Sequence, residues 1–265
     1  MKILAFSDLH GQAKALDLLL EKESKNKYDA IIIAGDIGGY NRPCLKTKEV
    51  LSSLNIFNCP IFFVLGNSDP EEKEKDVEWP TNCFLLNNKP LIINKYALVG
   101  ITGVYDIGRD YSNHLHFLES DLNQIHENIK KQGQSLKYIF VTHERIPKIN
   151  TYFPEGIPFI YLFGHHHRPA HTVHKNINFI NCSSLDSRTR WFAGNYWKIE
   201  LENNQIISTP IAIELPKANG VNFDRRKAKS EVQMFNLLFP ELQFEPQKEG
   251  PIIFPSEKNE NITTG

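Results

Sequence analysis

The stretch MKILAFSDLHG, residues 1–11, decides the fold. Its apolar run, Ile3 to Phe6, leads into the polar cluster Asp8-Leu9-His10, the pattern of a buried strand that ends at a loop. Outward from there the pattern repeats. Residues 12–24, with Leu16, Leu19 and Leu20 on one face, read as a helix, and residues 30–34, AIIIA, as a second strand ending at Gly35-Asp36. Residues 46–54 read as another helix and residues 61–65, IFFVL, as a third strand ending at Gly66-Asn67-Ser68-Asp69. Such alternation implies a sheet with parallel pairs, whose ligand crevice lies at the carboxyl ends of the strands. All three polar clusters fall at those ends.

Farther along, short strand-like pieces at 84–86, 91–93 and 96–100 lie close together and suggest a meander. Ser112 is the expected N-cap of a helix reaching about residue 131. Residues 138–141 and 159–163 read as strands ending at Thr142-His143-Glu144 and Gly164-His165-His166-His167. Residues 177–181, 196–201 and 205–213 complete the strands, the last two joined by an Asn203-Asn204 turn. The expected fold class is α/β, two packed mixed β-sheets flanked by helices. One domain is expected over residues 1–215. Residues 216–265 read as a C-terminal extension, with a short amphipathic helix at 224–239 packing back on the domain and a mobile, Pro- and Lys-rich tail.

With 30 Lys and Arg against 31 Asp and Glu, the net charge of −1 gives no general attraction to nucleic acid or to an anionic membrane. Cys44, Cys59, Cys83 and Cys182 stand singly, which suits reduced thiols in a cytoplasmic protein rather than a disulfide framework. The opening residues lack the basic and long apolar regions of a signal peptide. No run approaches the roughly eighteen apolar residues of a membrane span.

The five clusters supply aspartates, an asparagine and histidines, all oxygen and nitrogen donors without a thiolate. That set suits divalent Mn, Fe, Co, Ni or Zn. Residues two apart on a strand share a face, so Asp8 and His10 are expected to converge, as are His165 and His167, with His166 turned away.

In this order the motifs D-x-H, G-D, G-N-x-D, H and G-H-x-H resemble the calcineurin-like metallophosphoesterase family, over residues 3 to about 190. Residues 103–112 are also similar to predicted phosphoesterases related to cyclic-nucleotide phosphodiesterases. The resemblance implies two divalent ions, with manganese favoured. One would be bound by Asp8, His10, Asp36 and His167, the other by Asp36, Asn67, His143 and His165, with Asp36 bridging. It implies a hydrolase of phosphate esters, phosphodiesters favoured, acting by direct attack of a metal-bridging hydroxide. Ions about 3.5–4 Å apart lower the pKa of a shared water from about 15.7 towards 7. Two ions, two aspartates and a hydroxide leave a charge of about +1, which complements a phosphodiester.

Asn67 is the expected donor to a phosphoryl oxygen, with Arg168 or Arg188 holding another. The sequence departs from the family at Ser68, where most members carry a histidine that protonates the leaving group and that Asp69 would orient. His116 and His114 are candidate replacements for that acid, and Asp69 an alternative support for a metal-bound histidine. The expected partner is a small phosphate ester; neither membrane nor nucleic acid is implied, and oligomeric state is left open. Two rival readings remain: a catalytically silent scaffold, as in the family's retromer subunit, and a nuclease, against which the missing basic stripe counts.

Overall fold

The computed structural model describes residues 1–39, 44–69, 77–103, 112–132, 136–146, 149, 159–167, 169–174, 177–182, 184–186, 194–202 and 205–215, with backbone alone at 112–119, 132 and 159. The elements run β1 (Lys2–Phe6), α1 (Ala13–Glu23), β2 (Ala30–Ala34), α2 (Thr47–Ser53), a 3₁₀ turn (Leu54–Phe57), β3 (Ile61–Val64), β4 (Cys83–Leu85), β5 (Leu91–Ile93), β6 (Tyr96–Ile101), α3 (Ser112–Gln132) and β7 (Lys137–Thr142). They continue with β8 (Phe159–Phe163), β9 (Ala170–His174), β10 (Ile177–Asn181), β11 (Asn195–Glu202) and β12 (Gln205–Ala212).

These strands form two six-stranded sheets, in the orders β12-β11-β1-β2-β3-β4 and β5-β6-β7-β8-β10-β9. Strands β1 to β4 are mutually parallel, and so are β6, β7, β8 and β10. Antiparallel strands flank each set, β11 beside β1, β5 beside β6 and β9 beside β10.

The AIIIA run of β2 is apolar throughout because both of its faces are covered. Ala30, Ile32 and Ala34 join Ile3 and Ala5 of β1 in packing against Leu98, Ile139, Val141, Ile160 and Leu162 of the opposite sheet. Ile31 and Ile33 face outward with Leu4 and Phe6, under Ala15, Leu16 and Leu19 of α1 and Val50 and Leu51 of α2. On the far side Leu122, Ile125 and Ile129, at helical spacing on α3, cover Val99, Phe140 and Tyr161. The layers are therefore helix, sheet, sheet, helix. Each buried Ile or Leu contributes about 1.5–3 kcal/mol relative to exposure. Among the described residues no helix is long and apolar enough to cross a membrane.

Three local readings are corrected by the structure. The expected meander is split between the sheets: β4 pairs parallel with β3 in the first, whereas β5 and β6 pair antiparallel in the second. Strand β9 was not foreseen, because AHTVH is short and half polar. More consequentially, β1 ends at Phe6, so Asp8 and His10 do not ride on a pleat. Asp8, His10, Asp36, His165 and His167, five of the seven non-glycine residues with positive φ among those described, take left-handed conformations with φ of 50 to 66°. Left-handed turns, rather than strand alternation, aim these side chains inward. Such conformations cost an L-residue roughly 1–2 kcal/mol and persist where surroundings enforce them. The 224–239 helix, the tail and the Asn203-Asn204 turn fall outside the described residues.

Candidate metal centre

The candidate ligands gather where β1, β2, β3, β7 and β8 end. Backbone pairing outlasts the strands there: Asp8 donates its N–H to Gly35 O (3.0 Å), His10 to Asp36 O (2.9 Å) and Gly164 to His143 O (2.8 Å). This zippering fixes the left-handed residues in register. The glycines of the motifs answer to close approach. A Cβ on Gly164 would stand 2.6 Å from Asp8 Oδ2, and one on Gly66 would stand 2.8 Å from the His143 ring.

Asp8, His10 and His167 form one donor group and Asp8, Asp36 and His143 another, each with its ligand atoms within 4.8 Å of one another. Asp8 is wholly buried. Its Oδ2 accepts from Ser7 Oγ (2.5 Å) and the His165 N–H (3.0 Å). Its Oδ1 has no well-aligned donor among the described residues and faces His167 Nε2 at 3.1 Å and His10 Nε2 at 3.8 Å. A buried carboxylate oxygen left over in this way, confronted by two imidazole nitrogens, is what a cation position requires.

The second group is tighter. His143 Nδ1 donates to Ala34 O at 2.8 Å, which turns Nε2 toward Asn67 Oδ1 at 3.1 Å and Asp36 Oδ2 at 3.4 Å. His165 Nδ1 lies 3.1 Å from the same Asn67 oxygen and 3.3 Å from His143 Nε2. Ligands with bonds of about 2.0–2.1 Å stand about 2.9–3.4 Å apart around a tetrahedral or octahedral ion, so this spacing fits a divalent cation. Asp36 Oδ2 is also 3.6 Å from His10 Nε2, which brings one oxygen within reach of both groups.

The electrostatics agree. Burial alone would raise Asp8, yet His167, His143 and the Ser7 hydroxyl hold it well below the usual carboxylate range. Burial opposes ionisation of Asp36 too, but its hydrogen bond and charge contact with His143 keep it low. Burial would depress His143; the Asp36 and Asp8 carboxylates outweigh it and push the ring up to about 9. Burial and the charge of His143 push His165 down to about 4. Because Nδ1 of His143 serves Ala34 O, Nε2 is the nitrogen that would face an ion. A metal would compete with protons for that nitrogen.

Asp69 is fully buried and holds loops together. It accepts from the N–H groups of Ile37 (3.1 Å), Gly38 (2.8 Å) and Gly66 (2.9 Å) and from Thr47 Oγ1 (2.8 Å). Burial pushes its carboxyl up. No histidine is among these partners. His166, half-buried, packs edge-on against His165, ring centroids 5.4 Å apart, and so backs a candidate ligand from behind. Arg168, Arg188 and the side chains of His114 and His116 lie outside the described residues.

One residue escaped the sequence reading. Asp186 is fully buried, its Oδ2 3.8 Å from His10 Nε2 and its Oδ1 3.9 Å from His167 Nδ1. The signal was weak, since β10, INFIN, carries two asparagines and so lacks the unbroken apolar run of β2 or β3.

Residues 1–169 match the family model described as calcineurin-like phosphoesterase. The chain belongs to that family. The uncharacterized protein YpbG of Bacillus subtilis (strain 168) is 29% identical over 174 residues, a match spanning 63% of this chain and 61% of that relative. Among solved structures, TT1561 of Thermus thermophilus superposes with a TM-score of 0.58 at 16% identity, covering 78% of this chain and 97% of its own. GAP50, the anchor in the inner membrane complex of Plasmodium, superposes with a TM-score of 0.53 at 12% identity, covering 95% and 99%. At such identities these two attest the fold alone. Calcineurin-like phosphoesterases typically bind two divalent metals, and the donor groups above are this chain's candidates for holding them.

Proposed function

We propose that this calcineurin-like phosphoesterase is a dinuclear metal-dependent hydrolase of phosphate esters that prefers diesters. The observation that carries the reading is the single Asp36 oxygen, Oδ2, standing 3.6 Å from His10 Nε2 and 3.4 Å from His143 Nε2. Asp8, His10, Asp36 and His167 would hold one ion, and Asp36, Asn67, His143 and His165 the other. When bound, the pair supplies an activated water and neutralises charge on the phosphoryl group.

The chain's own residues do the rest. Asn67, exposed at the mouth of the crevice, turns Oδ1 toward the two histidine nitrogens and so directs its amide N–H groups outward, where they can donate to a phosphoryl oxygen. Ser68 spends its hydroxyl on Asp36 Oδ2 at 3.0 Å and is no acid for the leaving group. Esters with good leaving groups are accordingly the best substrates. Arg168, Arg188 and His116 remain the proposed auxiliary groups for phosphate binding and proton donation. Manganese is the proposed metal, and the free thiols of Cys44, Cys59, Cys83 and Cys182 fit a reducing cytoplasm.

The test is hydrolysis of bis-nitrophenyl phosphate by protein loaded with Mn, Ni or Zn. Turnover with any of them, lost in Asp36→Asn together with metal, supports the proposal. No turnover with all three would leave the chain a binding member of the family.

A further inference from the structure

We propose that Asp186 is a positioning residue for the first ion, fixing the ring of His167 and adding negative charge beside His10. The inference rests on reading the donor groups as metal positions.

Three observations place Asp186 in this role. Its backbone N–H donates to Asp8 O at 3.1 Å and the Leu185 N–H donates to Ser7 O at 3.0 Å, so the loop after β10 is laced to the loop that carries Asp8 and His10. Its carboxylate is gripped by the Ser184 hydroxyl, which donates to Oδ1. The two oxygens then divide between the two histidines, Oδ1 on the Nδ1 edge of His167 at 3.9 Å and Oδ2 beside His10 Nε2 at 3.8 Å.

The edge matters for His167. Its Nε2 faces Asp8 Oδ1 at 3.1 Å and is the nitrogen available to an ion. An imidazole that ligates through Nε2 carries its proton on Nδ1, and a carboxylate on that side selects this tautomer and fixes the ring. Asp186 stands on that side. A small rotation of the His167 ring as Nε2 is drawn to an ion closes 3.9 Å to hydrogen-bond distance. For His10, Asp186 Oδ2 stands as far from Nε2 as Asp8 Oδ1 does, 3.8 Å in both cases, and so adds negative charge beside the same nitrogen. The contacts that place Asp186 beside imidazole nitrogens, at His10 and His167, both fall on the first group. The effect is therefore expected at the first ion.

The experiment is calorimetric and EPR titration of the metal-free full chain with Mn, for wild type, Asp186→Asn and Ser184→Ala, over a range of pH. Wild type should take two ions. Asp186→Asn should bind the first ion about 10- to 100-fold more weakly, the second with unchanged affinity, and its two-ion spin-coupled signal should give way to that of a single ion. Ser184→Ala should show a smaller loss on the same ion, which keeps the test decisive if Asp186→Asn does not fold. Unchanged affinities in both variants, or equal weakening of both ions with a lowered melting temperature of the metal-free protein, overturn the role of Asp186 alone. Wild type that takes up fewer than two ions overturns the dinuclear reading, and this inference with it.

Discussion

Ser68 grips both oxygens of Asp36, its N–H donating to Oδ1 at 2.6 Å and its hydroxyl to Oδ2 at 3.0 Å. The residue that stands where the resemblance to calcineurin-like phosphoesterases leads one to expect an acidic imidazole here orients the carboxylate proposed to bridge the two ions. The consequence is a site built to position charge without a proton donor at that position. Ser68→His should restore the donor. Because a positioned acid is worth roughly 10² to 10⁴ in rate, and mostly for leaving groups that need protonation, the variant should gain more on alkyl phosphate esters than on nitrophenyl esters. Steady-state rates on the two ester classes decide it; equal changes on both would defeat the argument.

Gly164 sits where a Cβ would meet Asp8 Oδ2 at 2.6 Å. Neither Asp8 nor Ser7 can retreat, since both are buried and joined by a 2.5 Å hydrogen bond. Gly164→Ala should destabilise the protein by about 1–3 kcal/mol, the usual cost of overpacking, and weaken Mn binding as Asp8 is displaced. Denaturant midpoints and metal titration measure the two effects separately. A stable variant with undiminished metal affinity would show that the backbone yields.

The layered fold was legible because AIIIA and IFFVL are apolar throughout, which only strands buried on both faces require. The donor identities were legible because each polar cluster directly follows such a run. What the sequence concealed was how the side chains converge: nothing in Asp8-Leu9-His10 distinguishes two residues on a pleat from two in left-handed turns. That distinction depends on the Asp8 and His10 N–H groups pairing with Gly35 O and Asp36 O, a contact between segments far apart in the chain. Asp186 was missed for a related reason, since its nearness to His10 comes from the return of the loop after β10. Strand β9 lacked any apolar run to announce it.

Glu23, at the end of α1, is buried away from the crevice and accepts from Asn26 Nδ2 (2.7 Å), Lys198 Nζ (2.9 Å), Tyr28 OH and Tyr196 OH. Burial would raise its pKa, but these donors outweigh burial and hold it below 4.5. A carboxyl lowered on folding stabilises fully above its unfolded value and progressively less as pH falls through the folded one. Glu23→Gln should therefore cost about 1.5–3 kcal/mol at pH 7, the range for hydrogen bonds to a charged group. The gap from wild type should narrow in acid below about pH 4.5. Urea unfolding of both proteins across that range tests the sign, and a gap that widens in acid refutes it.

The candidate ligands come from both sheets, Asp8, Asp36 and Asn67 from the loops after β1, β2 and β3, and His143, His165 and His167 from those after β7 and β8. Ions held there would tie the sheets together at one edge of their shared core, so metal removal should be felt as lost stability. At a free Mn concentration about 100 times the dissociation constant, each independent site adds about 2.7 kcal/mol. Chelation should lower the melting temperature of wild type, and manganese should restore it. Asp36→Asn should melt at nearly the same temperature with and without manganese, because the carboxylate proposed to bridge both ions is gone. Differential scanning calorimetry distinguishes this from nonspecific ion effects: a melting temperature in Asp36→Asn that follows manganese as closely as wild type does would place the stabilising ions somewhere other than this crevice.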